Sequence, residues 1–202
     1  MFRCRQSKLN NFSEGFTLAE VLVTISLSLV LFGALYGIYI TSYRSYQRSA
    51  AKAEANQNGR ITLERISRDL RQTPIVTTIL PPTADDLLNP PSTSLQFQDG
   101  HDILQTQYIE YSLADKKLHR KLLHYCFSAS PSDCDPSDWV AWNAIDANGD
   151  PPSIAIDEDV VKADLITTLG FYGSSKISIE ITTQDKLGNE SHFKTDIFCR
   201  NL

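Results

Sequence analysis

The sequence predicts an α+β protein, in which a long N-terminal α-helix packs through its C-terminal half on an antiparallel β-sheet head. Three observations predict this fold. Residues 16–40 form one apolar run, no proline occurs between Phe16 and Thr73, and apolar and polar residues alternate in several segments after residue 93. The apolar run is long enough to cross a hydrocarbon core of about 30 Å as a helix. We therefore expect the first part of the helix to span a membrane.

The composition is that of a folded protein, with 202 residues, 42% hydrophobic and 21% charged. The formal net charge is −5. Residues 1–15 contain three basic side chains and one acidic side chain, so the rest of the chain has 19 − 3 = 16 basic and 24 − 1 = 23 acidic residues, a net charge of −7. An acidic body gives no electrostatic reason for binding nucleic acid. Nucleic acid is not an expected partner of this chain alone.

The helical pattern continues beyond the apolar run. Tyrosines and alanines recur at spacings of four and three from Tyr39 to Ala53, and Leu63, Ile66 and Leu70 continue an apolar stripe. Pro74 ends the pattern. The sequence predicts a helix from Phe16 to about Gln72, on the order of 85 Å long at about 1.5 Å per residue.

Alternating segments predict the strands of the head. They lie at 94–98, 107–113, 118–122, 176–181 and 191–199. Asp99-Gly100 and Ala114-Asp115-Lys116 predict turns after the first two, and residues 185–189 predict the last turn. Five prolines between Pro74 and Pro91 predict an irregular connection between helix and sheet.

The order of segments at the N-terminus is the reverse of a secretory signal peptide. A basic segment ends in Gly15, and the apolar run follows that glycine instead of preceding a cleavage site. Glu20 is the one charge in the run, and a carboxylate in lipid requires a partner or a function. Residues 15–23, GFTLAEVLV, resemble the class III leader of type IV pilins and type II secretion pseudopilins.

This resemblance implies how the chain is processed and assembled. A prepilin peptidase on the cytoplasmic side would cut after Gly15 and methylate the new N-terminus, Phe16. Glu20 would then pair with the N-terminal amine of a neighbouring subunit, because a buried carboxylate is tolerated beside a buried ammonium. Ala19 is smaller than the aliphatic residue usual there. The implied division is a leader (1–15), a transmembrane assembly helix (16–40), its amphipathic continuation (41–73) and a β-rich head (74–202).

Further segments resemble minor pilins and pseudopilins of the PilW/GspJ kind. They are Asn58–Thr73, Tyr108–Leu113 with Leu118-His119-Arg120, and the C-terminal Phe193-Lys194-Thr195 with Arg200-Asn201. The resemblance implies a structural subunit that helps to initiate or cap a type IV pilus-like filament. Its partners would be other pilins or pseudopilins, the prepilin peptidase and the inner-membrane assembly platform. The chain would cross the cytoplasmic membrane once, with its head outside the cytoplasm, and then enter an extracellular or periplasmic filament.

Gly33 and Gly37 form a small-xxx-small pair within the apolar run. Such a pair permits close helix packing in a bilayer. Glycine also weakens a helix, so the pair can allow this segment to extend when subunits enter a fibre. The sequence favours neither interpretation.

The cysteines downstream of the apolar run would face an oxidising compartment. Cys126 and Cys134 enclose a short loop rich in Ser, Pro and Asp, which favours a disulfide between them. Free thiols, or a bond from Cys199 to one of the two, are the alternatives.

Other candidate sites are weaker. Asp146, Asn148 and Asp150 place oxygen ligands at alternate positions, but Pro151 stands where a calcium loop requires glycine, so a solvated turn is favoured over calcium. Trp139 and Trp142 are candidates for ligand contact or for covering the sheet edge, and the second is favoured. We expect no cofactor, no resident metal and no enzymatic activity. The rival function is a membrane-anchored ligand-binding protein that does not polymerise.

Overall fold

The computed structural model describes residues 17–102, 106–128, 130–174 and 176–198. One helix, α1, runs over Leu18–Gln72. Seven strands follow: β1 (Ser94–Gln98), β2 (Gln107–Ala114), β3 (Lys117–Cys126), β4 (Ser153–Ala163), β5 (Ile166–Tyr172), β6 (Ile177–Gln184) and β7 (Glu190–Ile197). The chain divides into two compact units, Met1–Gln47 and Arg48–Leu202. The α+β class with a long N-terminal helix and antiparallel sheet is confirmed.

Helix α1 begins and ends for local reasons. Thr17 precedes its first residue and caps it through its side chain, as described below. The helix ends at Gln72, two residues before Pro74, because proline lacks an N–H and disfavours helical backbone in the residue before it. The predicted end at about residue 72 is confirmed.

The head contains two antiparallel sheets instead of one. The first has the order β1-β2-β3-β4 and the second β5-β6-β7. The two are linked by paired hydrogen bonds between Ser92 and Phe171, with N···O distances of 3.0 and 2.9 Å. The segments predicted at 94–98, 107–113 and 118–122 are strands, although the third runs on to Cys126.

Two strands, β4 and β5, were not predicted. Along β4 most residues are exposed, so the alternation of burial that identifies a strand is weak. The turn signal Asp99-Gly100 lies in the connection between β1 and β2, and β2 starts at Gln107, as predicted. The strand predicted at 176–181 runs from Ile177 to Gln184. The last strand ends at Ile197, and Cys199 lies outside the described residues.

The hairpin between β2 and β3 turns over two residues. Ala114 pairs with Lys117, and both intervening residues, Asp115 and Lys116, have positive φ, 50° and 60°. This is the turn geometry that matches the right-handed twist of a tight hairpin. Aspartate tolerates such a conformation better than lysine does.

The core lies between the C-terminal part of α1 and the two sheets. Buried helix residues recur at spacings of four and three: Ala55, Gly59, Thr62, Ile66 and Leu70. Of these, Ile66 and Leu70 pack with inward side chains of both sheets, including Phe97, Tyr111, Phe171 and Ile179. The stripe predicted from Leu63, Ile66 and Leu70 is confirmed at its C-terminal end, whereas Ala53 is exposed and Ala55 is buried.

Candidate assembly site

Glu20 lies in the first turn of α1 and forms a reciprocal cap with Thr17. Its Oε2 accepts hydrogen bonds from the Thr17 backbone N–H (2.9 Å) and from the Thr17 hydroxyl (3.0 Å). The Glu20 N–H in turn donates to the Thr17 Oγ1 at 3.3 Å. This arrangement satisfies N–H groups that have no partner within the helix. Both hydrogen bonds that the Glu20 carboxylate accepts from Thr17 are made by Oε2. Its other oxygen, Oε1, can accept a hydrogen bond from a further donor.

The residues beside this cap present apolar side chains outward. Large hydrophobic side chains from Leu18 to Tyr39 are 44–78% exposed. The helix contains an apolar stretch that, by length and composition, is sufficient to cross a membrane. The predicted processing residues Gly15 and Phe16 lie outside the described residues, and their roles stay predictions.

Gly33 and Gly37 contact nothing that would require glycine within the subunit. A Cβ built at either position has no described atom within 4 Å. The helix is continuous through both residues. The two interpretations, packing against another helix and local extension in a fibre, both refer to an assembled state and remain predictions.

Helix and sheet are joined by a polar cluster that the sequence alone did not reveal. Asp69 of α1 accepts a 2.7 Å hydrogen bond from the Tyr111 hydroxyl and a 3.2 Å bond from Arg120 Nε. Burial and the Asp69 charge both raise the pKa of Tyr111, so its hydroxyl stays a donor. Tyr111 and Arg120 are cross-strand partners in β2 and β3. Their opposed positions in the predicted hairpin were the one feature of the sequence that placed these two side chains next to each other.

Cys126 and Cys134 form a disulfide in the structure. The bond closes the loop that follows β3. On the same side, His124 is buried and contacts Asp157 of β4 (2.9 Å) and the Pro131 carbonyl (3.2 Å) through its two ring nitrogens. The disulfide and these contacts give both sulfurs and both ring nitrogens of His124 partners within the protein.

The two tryptophans have different surroundings. Trp139 stacks on His124, with ring centroids 4.3 Å apart. The backbone N–H of Trp142 donates to the Tyr108 hydroxyl, while its side chain is 40% exposed. Trp139 thus packs on β3, which is an inner strand, and Trp142 keeps accessible aromatic surface, so the expected covering of the sheet edge stays a prediction.

The calcium candidate is a turn held by its own side chains. Asp146 accepts hydrogen bonds from the backbone N–H groups of Asn148 and Asp150 and from the Asn148 amide. These bonds lower the pKa of Asp146. Among the described residues, no group of three or more His, Cys, Asp or Glu side chains is placed to hold a metal ion.

Comparison with known proteins gives one match. Residues 10–36 match the family model described as the prokaryotic N-terminal methylation motif. No curated protein and no solved structure matches the chain. The matched segment contains Gly15, Phe16 and the cap of Thr17 and Glu20, and it runs into the exposed apolar part of α1. The match covers 27 of the 202 residues, and it supports the resemblance of this N-terminal segment to the leader of type IV pilin-like proteins.

Proposed function

We propose that the chain is a minor pilin or pseudopilin that helps to initiate or cap a type IV pilus-like filament. The observation that carries this proposal is the methylation motif at residues 10–36, followed by an outward-facing apolar helix. In that helix Glu20 is the single charged residue between Leu18 and Tyr43. A lone carboxylate in lipid is costly, so it is retained for a specific interaction.

In the proposed mechanism, cleavage after Gly15 creates a methylated amine on Phe16. The membrane holds the subunit through residues 16–40, and the head, residues 74–202, rests on the continuation of the helix at 41–73. The cap formed with Thr17 stabilises Glu20 before assembly. On assembly the carboxylate also receives the N-terminal ammonium of a neighbouring subunit, and this pairing sets the register between helices.

The minor role is supported by local resemblance. The β2–β3 hairpin carries the tyrosine strand, the turn and the Leu-x-Arg segment that resemble PilW/GspJ-like subunits. Tyr111 and Arg120 of that hairpin hold Asp69 of the helix, which gives the pattern a structural purpose in this chain. Such a filament would serve motility, adhesion, DNA uptake or type II secretion.

A Glu20→Gln variant tests the mechanism. Glutamine keeps an oxygen that can accept from Thr17 but removes the charge, so we expect normal cleavage and membrane insertion with loss of the subunit from sheared filaments. Thr17→Ser is the matched control, because serine also caps helices, and it should be incorporated like the wild type. Equal incorporation of Glu20→Gln would contradict the mechanism. Absence of the wild-type chain from filaments would favour the non-polymerising, membrane-anchored binding protein.

A further inference from the structure

Charge is distributed unevenly between two parts of the Arg48–Leu202 unit. Residues 127–161, here called the acidic lobe, contain eight acidic residues and no Lys or Arg. The Arg48–Leu202 unit has 24 − 2 = 22 acidic and 19 − 4 = 15 basic residues, so its part outside the lobe has 22 − 8 = 14 acidic and 15 basic residues, a net charge of +1 against −8 for the lobe. The eight are Asp133, Asp135, Asp138, Asp146, Asp150, Asp157, Glu158 and Asp159.

Two parts of the acidic lobe pack against each other. Its first 3-10 turn, Pro131–Asp133, packs against β4, and His124 ties the Pro131 carbonyl to Asp157. Seven of the eight carboxyl residues are exposed, Asp146 being half-buried. Among the described residues, none of the eight forms an ion pair with Lys or Arg, and only Asp157 and Asp159 contact histidines.

The lobe also carries apolar surface beside its charges. Strand β4 is an edge strand, since it pairs only with β3 in the described chain. Ile154, Ile156 and Val161 on this strand are 54%, 56% and 43% exposed. Phe127, at the rim of a groove that Asp133, Asp135 and Asp138 also line, is 44% exposed. A surface of this kind suits the aliphatic stems and cationic ends of arginines.

The outward face of α1 in the same unit has the opposite charge. The basic helix face consists of Arg60, Arg65, Arg68 and Arg71, all exposed, and lies away from the buried stripe at Ala55–Leu70. Of the four, Arg68 alone has an acidic partner in the described chain, Glu64 at 3.5 Å. Ile61, 44% exposed, adds an apolar side chain between the arginines.

We propose that the basic helix face of one copy of this chain docks on the acidic lobe of a second copy. The charge complementarity carries the proposal. Among the described residues the acidic lobe has no Lys or Arg partner, and three of the four arginines of the basic helix face have no acidic partner, so each surface can supply counter-charges to the other. The contact is heterologous: each copy would use its helix face towards one neighbour and its lobe towards the other. Two copies joined in this way form a head-to-tail pair, a suitable start for a fibre. The contact itself requires neither cleavage nor a filament.

Photo-crosslinking of the full-length protein in detergent-solubilised membranes tests the contact. The photoreactive amino acid p-benzoylphenylalanine replaces Ile61 in one copy, and a second copy carries an epitope tag. We expect an adduct that mass spectrometry maps to residues 127–161 of the tagged copy, and we expect its yield to fall as salt rises because exposed charge pairs are screened. An adduct confined to another region or to a different protein would overturn the proposal.

Charge reversal gives a matched set of variants. Arg65→Glu/Arg68→Glu reverses the helix face and Asp135→Lys/Asp138→Lys reverses the lobe. Each variant alone should lose at least about fivefold in adduct, because like charges then face each other. A mixture of the two should recover the adduct, which also shows that both variants are folded. Asp85→Lys/Glu190→Lys changes the net charge equally outside both surfaces and should leave the yield unchanged.

Unchanged yield in either reversed variant, or no recovery in the mixture, would overturn the proposal. Failure of the proposed function would be seen in a different measurement, as absence of the chain from sheared filaments. The two failures are therefore distinguishable.

Discussion

The Asp69 cluster should be a large single contribution to the stability of the head. The Asp69→Ala substitution removes the shared acceptor of Tyr111 and Arg120. The side chains of Asp69 and Arg120 are only 14% and 19% exposed, and Tyr111 is fully buried. Breaking a buried charge pair costs about 3–5 kcal/mol, and an unpaired buried hydroxyl costs about 1–3. Because these costs overlap and some solvent reaches the pair, we expect a loss of about 3–4 kcal/mol.

Urea unfolding of the full-length chain in detergent, followed by tryptophan fluorescence, measures this loss. Both tryptophans of the chain, Trp139 and Trp142, lie in the head, so the signal does not report the apolar helix segment. Glu64→Ala is the matched control. Its partner Arg68 and Glu64 itself are 70% and 74% exposed, so the free energy of unfolding should change by less than about 0.5 kcal/mol.

A double-mutant cycle separates the contribution of the hydrogen bond between Tyr111 and Asp69 from other effects of the substitutions on stability. Tyr111→Phe alone should cost about 1–2 kcal/mol, because it removes a hydrogen bond to a charged acceptor. In the Asp69→Ala background the same substitution should cost almost nothing, since the hydroxyl already lacks its partner. Asp69→Ala should cost more than Glu64→Ala does, and the effects of Asp69→Ala and Tyr111→Phe should not simply add. Failure of either expectation would contradict the conclusion that Asp69, Tyr111 and Arg120 hold the helix to the sheet.

Three further outcomes are expected. Cys126→Ser should lower the free energy of unfolding by about 2–3 kcal/mol, measured in urea against the oxidised wild type. Without the disulfide the short loop between Cys126 and Cys134 is no longer closed in the unfolded chain, whose conformational entropy therefore rises. Acidification should destabilise the head through Glu180: bonds from Tyr172 and Lys194 lower its pKa, so its contribution is present above the unfolded carboxyl pKa and is lost as pH falls through the folded value. Glu180→Gln should reduce this pH dependence in thermal melts, and an unchanged dependence would contradict the assignment. Calcium should leave the Tm unchanged, because Asp146 already accepts bonds within its turn; a Tm increase that Asp146→Ala abolishes would contradict this.

The helix and the strands whose residues alternate clearly were predictable, because periodicity is a pattern of neighbouring residues. Proline fixes the end of α1 near residue 72, and alternation identifies β1, β2 and β6. Strand β4 was missed because most residues on both of its faces are exposed, so it lacks the alternation of a strand with one buried face. The link between the two sheets depends on long-range pairing of Ser92 with Phe171, which no local pattern encodes.

The candidate site was predictable to a similar extent. The cleavage site and Glu20 were predicted from a contiguous motif, residues 15–23, which lies within the match at residues 10–36; their roles stay predictions. The Thr17 cap follows the Thr-x-x-Glu spacing of a capping box, a signal that was present in the sequence but not used. The partners of Asp69 were not predictable from periodicity, because Tyr111 and Arg120 are 42 and 51 residues away along the chain.

The central claim is that this chain is processed as a prepilin and enters a filament. Mass spectrometry of the N-terminus, on protein recovered from sheared filaments and from membranes, tests it most directly. The proposal predicts a mature chain in the filament fraction that begins at methylated Phe16, with the first fifteen residues removed. Full-length protein confined to the membrane fraction would contradict the claim and would identify the chain as an anchored domain.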